Sequence, residues 1–200
     1  MHLIIGLGNP GEEYENTRHN IGRAIVEKCA KKNDLPDFEY DKKSNTLVTQ
    51  GKIGPASAKG YSEAKKEKVV FALPETFMNK SGLAVSALAK YYKIKPEQLF
   101  IVHDDIDLPI GKIKISFNKS SAGHKGVENV MKNLKTQKFW RVRIGIGTKK
   151  KTKQAMDLVL KKFSAKEADE MKKTVKRACD ALACAASESP QKAMTVYNQS

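Results

Sequence analysis

Asn9, His19, Asn79 and Asp104 are residue types that would suit hydrolysis if they converged on one crevice. An imidazole is a competent base near neutral pH, and a carboxylate on its far nitrogen fixes its tautomer and raises its basicity. Asparagine amides orient a substrate or stabilise an oxyanion. No serine sits in a G-x-S-x-G elbow and no cysteine lies near these segments, which leaves activated water as the nucleophile. Each residue also has a plainer reading. His19 can cap a helix starting at Asn20, Asn79 can be the N-cap of a helix near Ser81, and Met78 suits a core. Asp104 and Asp105 can end a strand, or hold a metal with Asp107. Carboxylates on an extended chain alternate in direction, and only His103 adjoins them, which weighs against the metal.

The elements that must position these residues follow from periodicity. Leu3-Ile4-Ile5 predicts a short buried strand, and Ile21, Ala24, Ile25 and Cys29 predict a helix from about Asn20 to Lys32. Strands are expected at Thr46–Thr49 and Lys68–Leu73, with a long exposed loop from Gly51 to Lys66 between them. Leu83, Val85, Leu88 and Tyr92 mark an amphipathic helix over Ser81–Tyr92. Leu99–Val102 reads as a central strand ending at His103-Asp104-Asp105, and Lys112–Phe117 as a strand with one wet face. A short helix follows at Gly126–Leu134, then a strand at Arg141–Ile146 and a basic loop at Thr148–Lys153. A long helix runs from about Ser164, with Glu167 completing a capping box, to about Ser187. With no linker or internal repeat, the chain is one domain over residues 1–200. Alternating strands and helices imply an α/β layer fold with a largely parallel sheet, made mixed by hairpins at the Lys68 and Lys112 strands. Ligands of such sheets bind off the carboxyl ends of the strands, where Asn9, Thr76–Asn79 and His103–Asp105 all fall.

Gly6-Leu7-Gly8-Asn9-Pro10-Gly11 is formally a dinucleotide fingerprint. That reading requires a helix to begin at the third glycine, so that its N-terminus meets a pyrophosphate. Here Glu12, Glu13 and Glu15 occupy that place and helical periodicity begins only near Asn20. The motif is better read as a strand-end turn that fixes Asn9, exposed at the sheet edge.

A formal net charge of +15, from 37 Lys plus Arg against 22 Asp plus Glu, favours a polyanionic partner, nucleic acid first. The alternative is a lysine bias that merely aids solubility. No apolar run approaches a membrane span and no cleavable signal opens the chain, so a soluble protein is expected. Cys29, Cys179 and Cys184 lack paired spacing and read as small apolar fillers in a reducing compartment.

Taken together, several segments resemble the bacterial peptidyl-tRNA hydrolase family: Gly6–Gly11, Tyr14, Thr17–Asn20, Thr76–Asn79 with Ser81-Gly82, His103-Asp104 with Asp107–Pro109 and Gly111, Gly123-His124 with Gly126, and Arg141–Gly147. They occur in the family's order and roughly its spacing. The resemblance implies a monomeric, cytoplasmic α/β/α sandwich around a mixed, largely parallel twisted sheet. It implies hydrolysis of the ester joining a peptide to the 3′ end of tRNA, with no metal or cofactor. His19 would be the general base oriented by Asp104, and Asn9 and Asn79 would position the peptidyl ester. Tyr14, Met78, His124 and Lys125 would adjoin the substrate. Lys114, Lys119, Arg141 and Arg143 would meet the tRNA backbone, which carries no sequence information, so many tRNAs could be served.

The chain departs from that family in three places. Its 118–126 stretch is less glycine-rich, and Lys125 stands where the family has asparagine. An ammonium donates but cannot accept, so it replaces an amide only in part. Ser116 stands where a family lysine lies near phosphate, and Lys114 or Lys119 can substitute. The 51–66 loop is longer than usual and adds lysines. These departures leave open a second reading, a non-catalytic RNA-binding relative.

Overall fold

The computed structural model describes residues 1–54, 66–148 and 155–198. Among these, seven strands form one sheet: β1 (His2–Gly6), β2 (Glu39–Asp41), β3 (Thr46–Ile53), β4 (Glu67–Pro74), β5 (Leu99–Pro109), β6 (Ile113–Phe117) and β7 (Trp140–Gly147). Their spatial order is β2-β3-β4-β1-β5-β7-β6. The central strands β4, β1, β5 and β7 run parallel, while β2, β3 and β6 pair antiparallel with their neighbours. The central strands are apolar on both faces, as strands covered twice must be.

The helices are α1 (Ile21–Lys32), α2 (Ser81–Tyr91), α3 (Lys125–Leu134), α4 (Ala155–Val159), α5 (Ala165–Ser187) and α6 (Pro190–Tyr197). Two cores result, one on each face of the sheet. The larger joins Ile25, Cys29, Phe71, Val142 and Leu182 under α1, α5 and α6. The smaller joins Leu3, Ile5, Val85, Val130 and Phe139 under α2 and α3. Each fully buried Ile, Leu or Phe contributes about 1.5–3 kcal/mol. All three cysteines are free and buried, filling helix–sheet gaps. No helix among the described residues is long and apolar enough to cross a membrane.

Several boundaries differ from expectation. The central strand does not end at Val102. Asp104 and Asp105 continue the β5–β7 pairing opposite Ile144 and Gly145, and the register shifts only between Asp105 and Pro109. The strand can continue because both carboxylates find cationic or N–H partners inside the fold. β6 follows β5 through a tight turn but pairs with β7, not with β5, so the sequential antiparallel pairs among the described residues are β2–β3 and β3–β4. β3 extends to Ile53, past the expected loop start, and the rest of that loop, residues 55–65, lies outside the described residues. So does the Lys149–Lys151 run. β2, α4 and α6 were not signalled by periodicity. Yet Ser189 caps α6, accepting the Lys192 N–H, and Pro190 is its first residue, a recognisable helix start.

Candidate active site

The first βα turn is packed too tightly for a cofactor cradle. A Cβ on Gly22 would meet the Val102 carbonyl oxygen at 2.2 Å, and one on Gly6 would meet Gly22 O at 2.6 Å. Glycines there seat α1 directly on β1 and β5. Gly11, at φ 106°, turns the chain outward into a 3-10 turn at Glu12–Tyr14. A second 3-10 turn, Arg18–Asn20, then leads into α1.

Asn20 clamps the loop back onto itself. Its Oδ1 accepts the Asn9 N–H at 2.9 Å and its Nδ2 donates to Asn9 O at 2.9 Å. Asn9 Oδ1 in turn accepts the Met78 N–H at 2.8 Å. Asn9 is therefore 9% exposed, not free at the sheet edge, because Asn20 and Met78 cover it. With its oxygen engaged, its amide nitrogen is the group left for a ligand. Arg18 anchors the turn from below. Its Nη2 donates to Glu167 Oε2 at 2.7 Å, its Nη1 to Ile146 O at 3.3 Å, and its guanidinium lies over the Phe163 ring. Glu167 also accepts from Ser164 N and Oγ, so the expected capping box of α5 is present and bound to the residue beside His19.

Asp104, 2% exposed, is the centre of the site. Its Oδ1 receives His19 Nδ1 at 2.8 Å and His124 Nε2 at 2.9 Å. Burial raises its pKa, but the charge and hydrogen bonds of His124 and His19 outweigh burial and hold the carboxyl well below the usual range. The hydrogen-bond network assigns the tautomers. His19 donates through Nδ1, which leaves the Nε2 lone pair free. His124 Nδ1 accepts the Val127 N–H at 3.3 Å, so its proton is on Nε2. His103 donates from Nδ1 to the Asp104 carbonyl at 2.6 Å. Burial, then the neighbouring His124, push the His103 pKa well down, so this ring is neutral.

These groups open onto a cavity of about 780 Å³. Asn9, Tyr14, His19, Met78, Asn79, Asp104, His124 and Lys125 all line it. Tyr14 meets Phe77 edge-on, and Met78 is held under Gly126, where any Cβ would strike its sulfur. Asn79 and Lys125 are exposed at the mouth.

His19, Asp104 and His124 each offer a ligand atom within 4.8 Å of the others, so the cluster merits a test as a metal site. The donor set does not fit. A metal on His124 Nε2 would move that proton to Nδ1, where it would face the Val127 N–H. The imidazoles are arranged to hydrogen-bond the carboxylate, which leaves the His19 Nε2 lone pair facing the cavity.

The expected tRNA contacts divide. Lys114 and Lys119 are exposed. Arg143 is partly buried and its Nε donates to Asp105 Oδ2 at 2.5 Å. Arg141 is 2% exposed, which corrects its expected place against the backbone of a nucleic acid. It lies between Ile101 and Ser116 across the sheet, and burial, then the adjacent Arg143, lower its pKa to about 10. Alternation along β7 puts both arginines on one face but does not tell how deeply each is covered. Asn20, Arg18, Glu167 and His103 support the site, a role that residue type alone does not signal. The Thr17–Asn20 segment, the capping-box spacing of Glu167 and the His103-Asp104 adjacency are the sequence features that point to them.

An α/β sheet with an imidazole–carboxylate pair and amides at its strand ends defines a hydrolase-like site. The chain belongs to the peptidyl-tRNA hydrolase family, whose family model matches residues 3–200. It is 38% identical over 200 residues to a peptidyl-tRNA hydrolase of Aquifex aeolicus, covering 100% of this chain and 97% of that protein. It is 40% identical over 184 residues to one of Methylacidiphilum infernorum, covering 92% and 90%. The crystal structure of peptidyl-tRNA hydrolase from Acinetobacter baumannii superposes with a TM-score of 0.86 at 31% identity, covering 99% of this chain and 94% of that one.

Proposed function

We propose that this chain hydrolyses the ester between a peptide and the 3′ end of tRNA, with His19 as the general base. The observation that carries this reading is the His19 ring itself. Its Nδ1–H is held by ionised Asp104 and its Nε2 lone pair is left for the cavity. Nε2 takes a proton from water as the oxygen attacks the acyl carbon. The tetrahedral adduct collapses, the tRNA 3′-oxygen leaves, and the imidazolium returns the proton to that oxygen. Asp104 stabilises the imidazolium without taking its proton.

Asn9 and Asn79 orient the peptidyl carbonyl, and the Asn9 amide nitrogen is a donor for the developing oxyanion. Tyr14, Met78 and His124 shape the cavity beside the ester. Lys125 at the mouth supplies a donor and a positive charge where the family has an amide. Lys114 and Lys119 meet phosphate, and such contacts read no sequence. An ester is labile enough for this chemistry without a cofactor, and the enzyme works as a cytoplasmic monomer on the tRNA acceptor end.

The test is release of free tRNA from an N-blocked aminoacyl-tRNA by wild type and His19→Ala, with tRNA binding measured on the same samples. Release by wild type, lost in His19→Ala with binding retained, is expected. Binding without release by wild type would instead identify an RNA-binding relative.

A further inference from the structure

His124 is held more rigidly than a substrate contact requires. As the N-cap of α3 it accepts the Val127 N–H through Nδ1. Its ring meets His103 edge-on, with centroids 4.6 Å apart, and His19 at 5.1 Å. The Val127 N–H occupies the Nδ1 lone pair, so the proton this imidazole gives to Asp104 is the one on Nε2. That proton is spent on Asp104 Oδ1, the same oxygen that His19 uses. Both nitrogens of His124 are thereby committed.

A carboxylate oxygen divided between two donors is a weaker acceptor for each. If the oxygen were His19's alone, the imidazolium would be held more tightly. We propose that His124 is a positioning residue that sets the basicity of His19 by occupying part of their shared Asp104 oxygen. This inference rests on the catalytic reading above.

The other charged or titratable groups around the cluster come from every neighbouring element. His103 and the Asp105–Arg143 ion pair lie on β5 and β7, and Arg141 is close enough to act on His103. Lys80, ahead of α2, and Lys125, on α3, line the mouth. All of them stay in place in the variants that test the proposal.

Two substitutions separate the roles of His124. His124→Asn keeps a side chain that caps helices well but is too short to reach Asp104. His124→Gln carries an amide N–H near the position of Nε2 but is a poorer cap. His19 is titrated by NMR in each protein, and the pH profile of kcat/KM is measured beside it. His124→Asn is expected to raise the His19 pKa by about one unit and to carry the acidic limb of the profile with it. His124→Gln is expected to bring both back toward wild type. A His19 titration that does not move in His124→Asn overturns the proposal. So does an equal shift in both variants, which would make the cap the cause. The NMR titration does not depend on turnover. A shift in His124→Asn from a protein that hydrolyses no ester would keep the coupling and reject the hydrolase reading.

Discussion

His19 and His124 meet one oxygen of Asp104, yet the chain holds them by different means. The His19 turn is stitched from far away. Arg18 reaches Glu167 and Ile146, its N–H donates to Lys161 O at 3.0 Å, and Thr17 bridges Lys162. The His124 loop is held mostly by itself. Ser121 O accepts the His124 N–H at 3.2 Å, Ser121 Oγ accepts from Gly123 N and donates to Glu128, and Asn118, Ala122 and Gly123 all take left-handed conformations. His19 is thus anchored to the C-terminal third of the chain, whereas His124 hangs from a helix end.

The two regions depend on one another most at the carboxylate oxygen they share. Asp104→Asn removes the charge and favours the wrong His19 tautomer, so turnover should fall by about 10⁴-fold. A rate near wild type would take Asp104 out of the mechanism. On the His19 side, Asn20→Ala strands the buried N–H and C=O of Asn9. It should cost about 2 kcal/mol in denaturant unfolding and lower turnover with it. Unchanged stability would mean that the clamp is dispensable.

Between the two regions lies His103, whose folded pKa is depressed below the ordinary 6.5. Below that pH the unfolded chain takes up a proton that the folded one refuses. Stability should therefore fall on acidification by up to about 1.4 kcal/mol per pH unit from this group. His103→Asn, which keeps a donor for the Asp104 carbonyl, should flatten that slope. An identical slope in the variant would assign it elsewhere. Asp104 acts in the same direction at lower pH, its depressed pKa stabilising the fold until acid protonates it. The smallest effect is expected on the His124 side. Gly123, at φ 78°, has open space where a Cβ would go, so Gly123→Ala meets only backbone strain of about 1 kcal/mol. A much larger loss would show that the loop is held by more than its own turn.

The same contrast explains what could be read in advance. The apolar strand at Leu3–Ile5, the helix over Ile21–Lys32 and the Ser164–Glu167 capping box carry local signatures and stand where expected. Asn9, His19, Asn79 and Asp104 line one cavity because strand ends of a parallel sheet converge. The pairing of Arg18 with Glu167, 149 residues apart, has no local signature. Nor does the depth of Arg141, which depends on what β6 and β5 lay beside it. The continuation of β5 through two aspartates was hidden too, since their partners come from other elements.

The proposed chemistry depends on where three imidazole protons sit, and one long-range ¹H–¹⁵N NMR spectrum of the four histidines near neutral pH reads them directly. His19 and His103 should be protonated at Nδ1 and His124 at Nε2. A proton on Nε2 of His19 would leave no lone pair to receive one from water, and would contradict the mechanism at its first step.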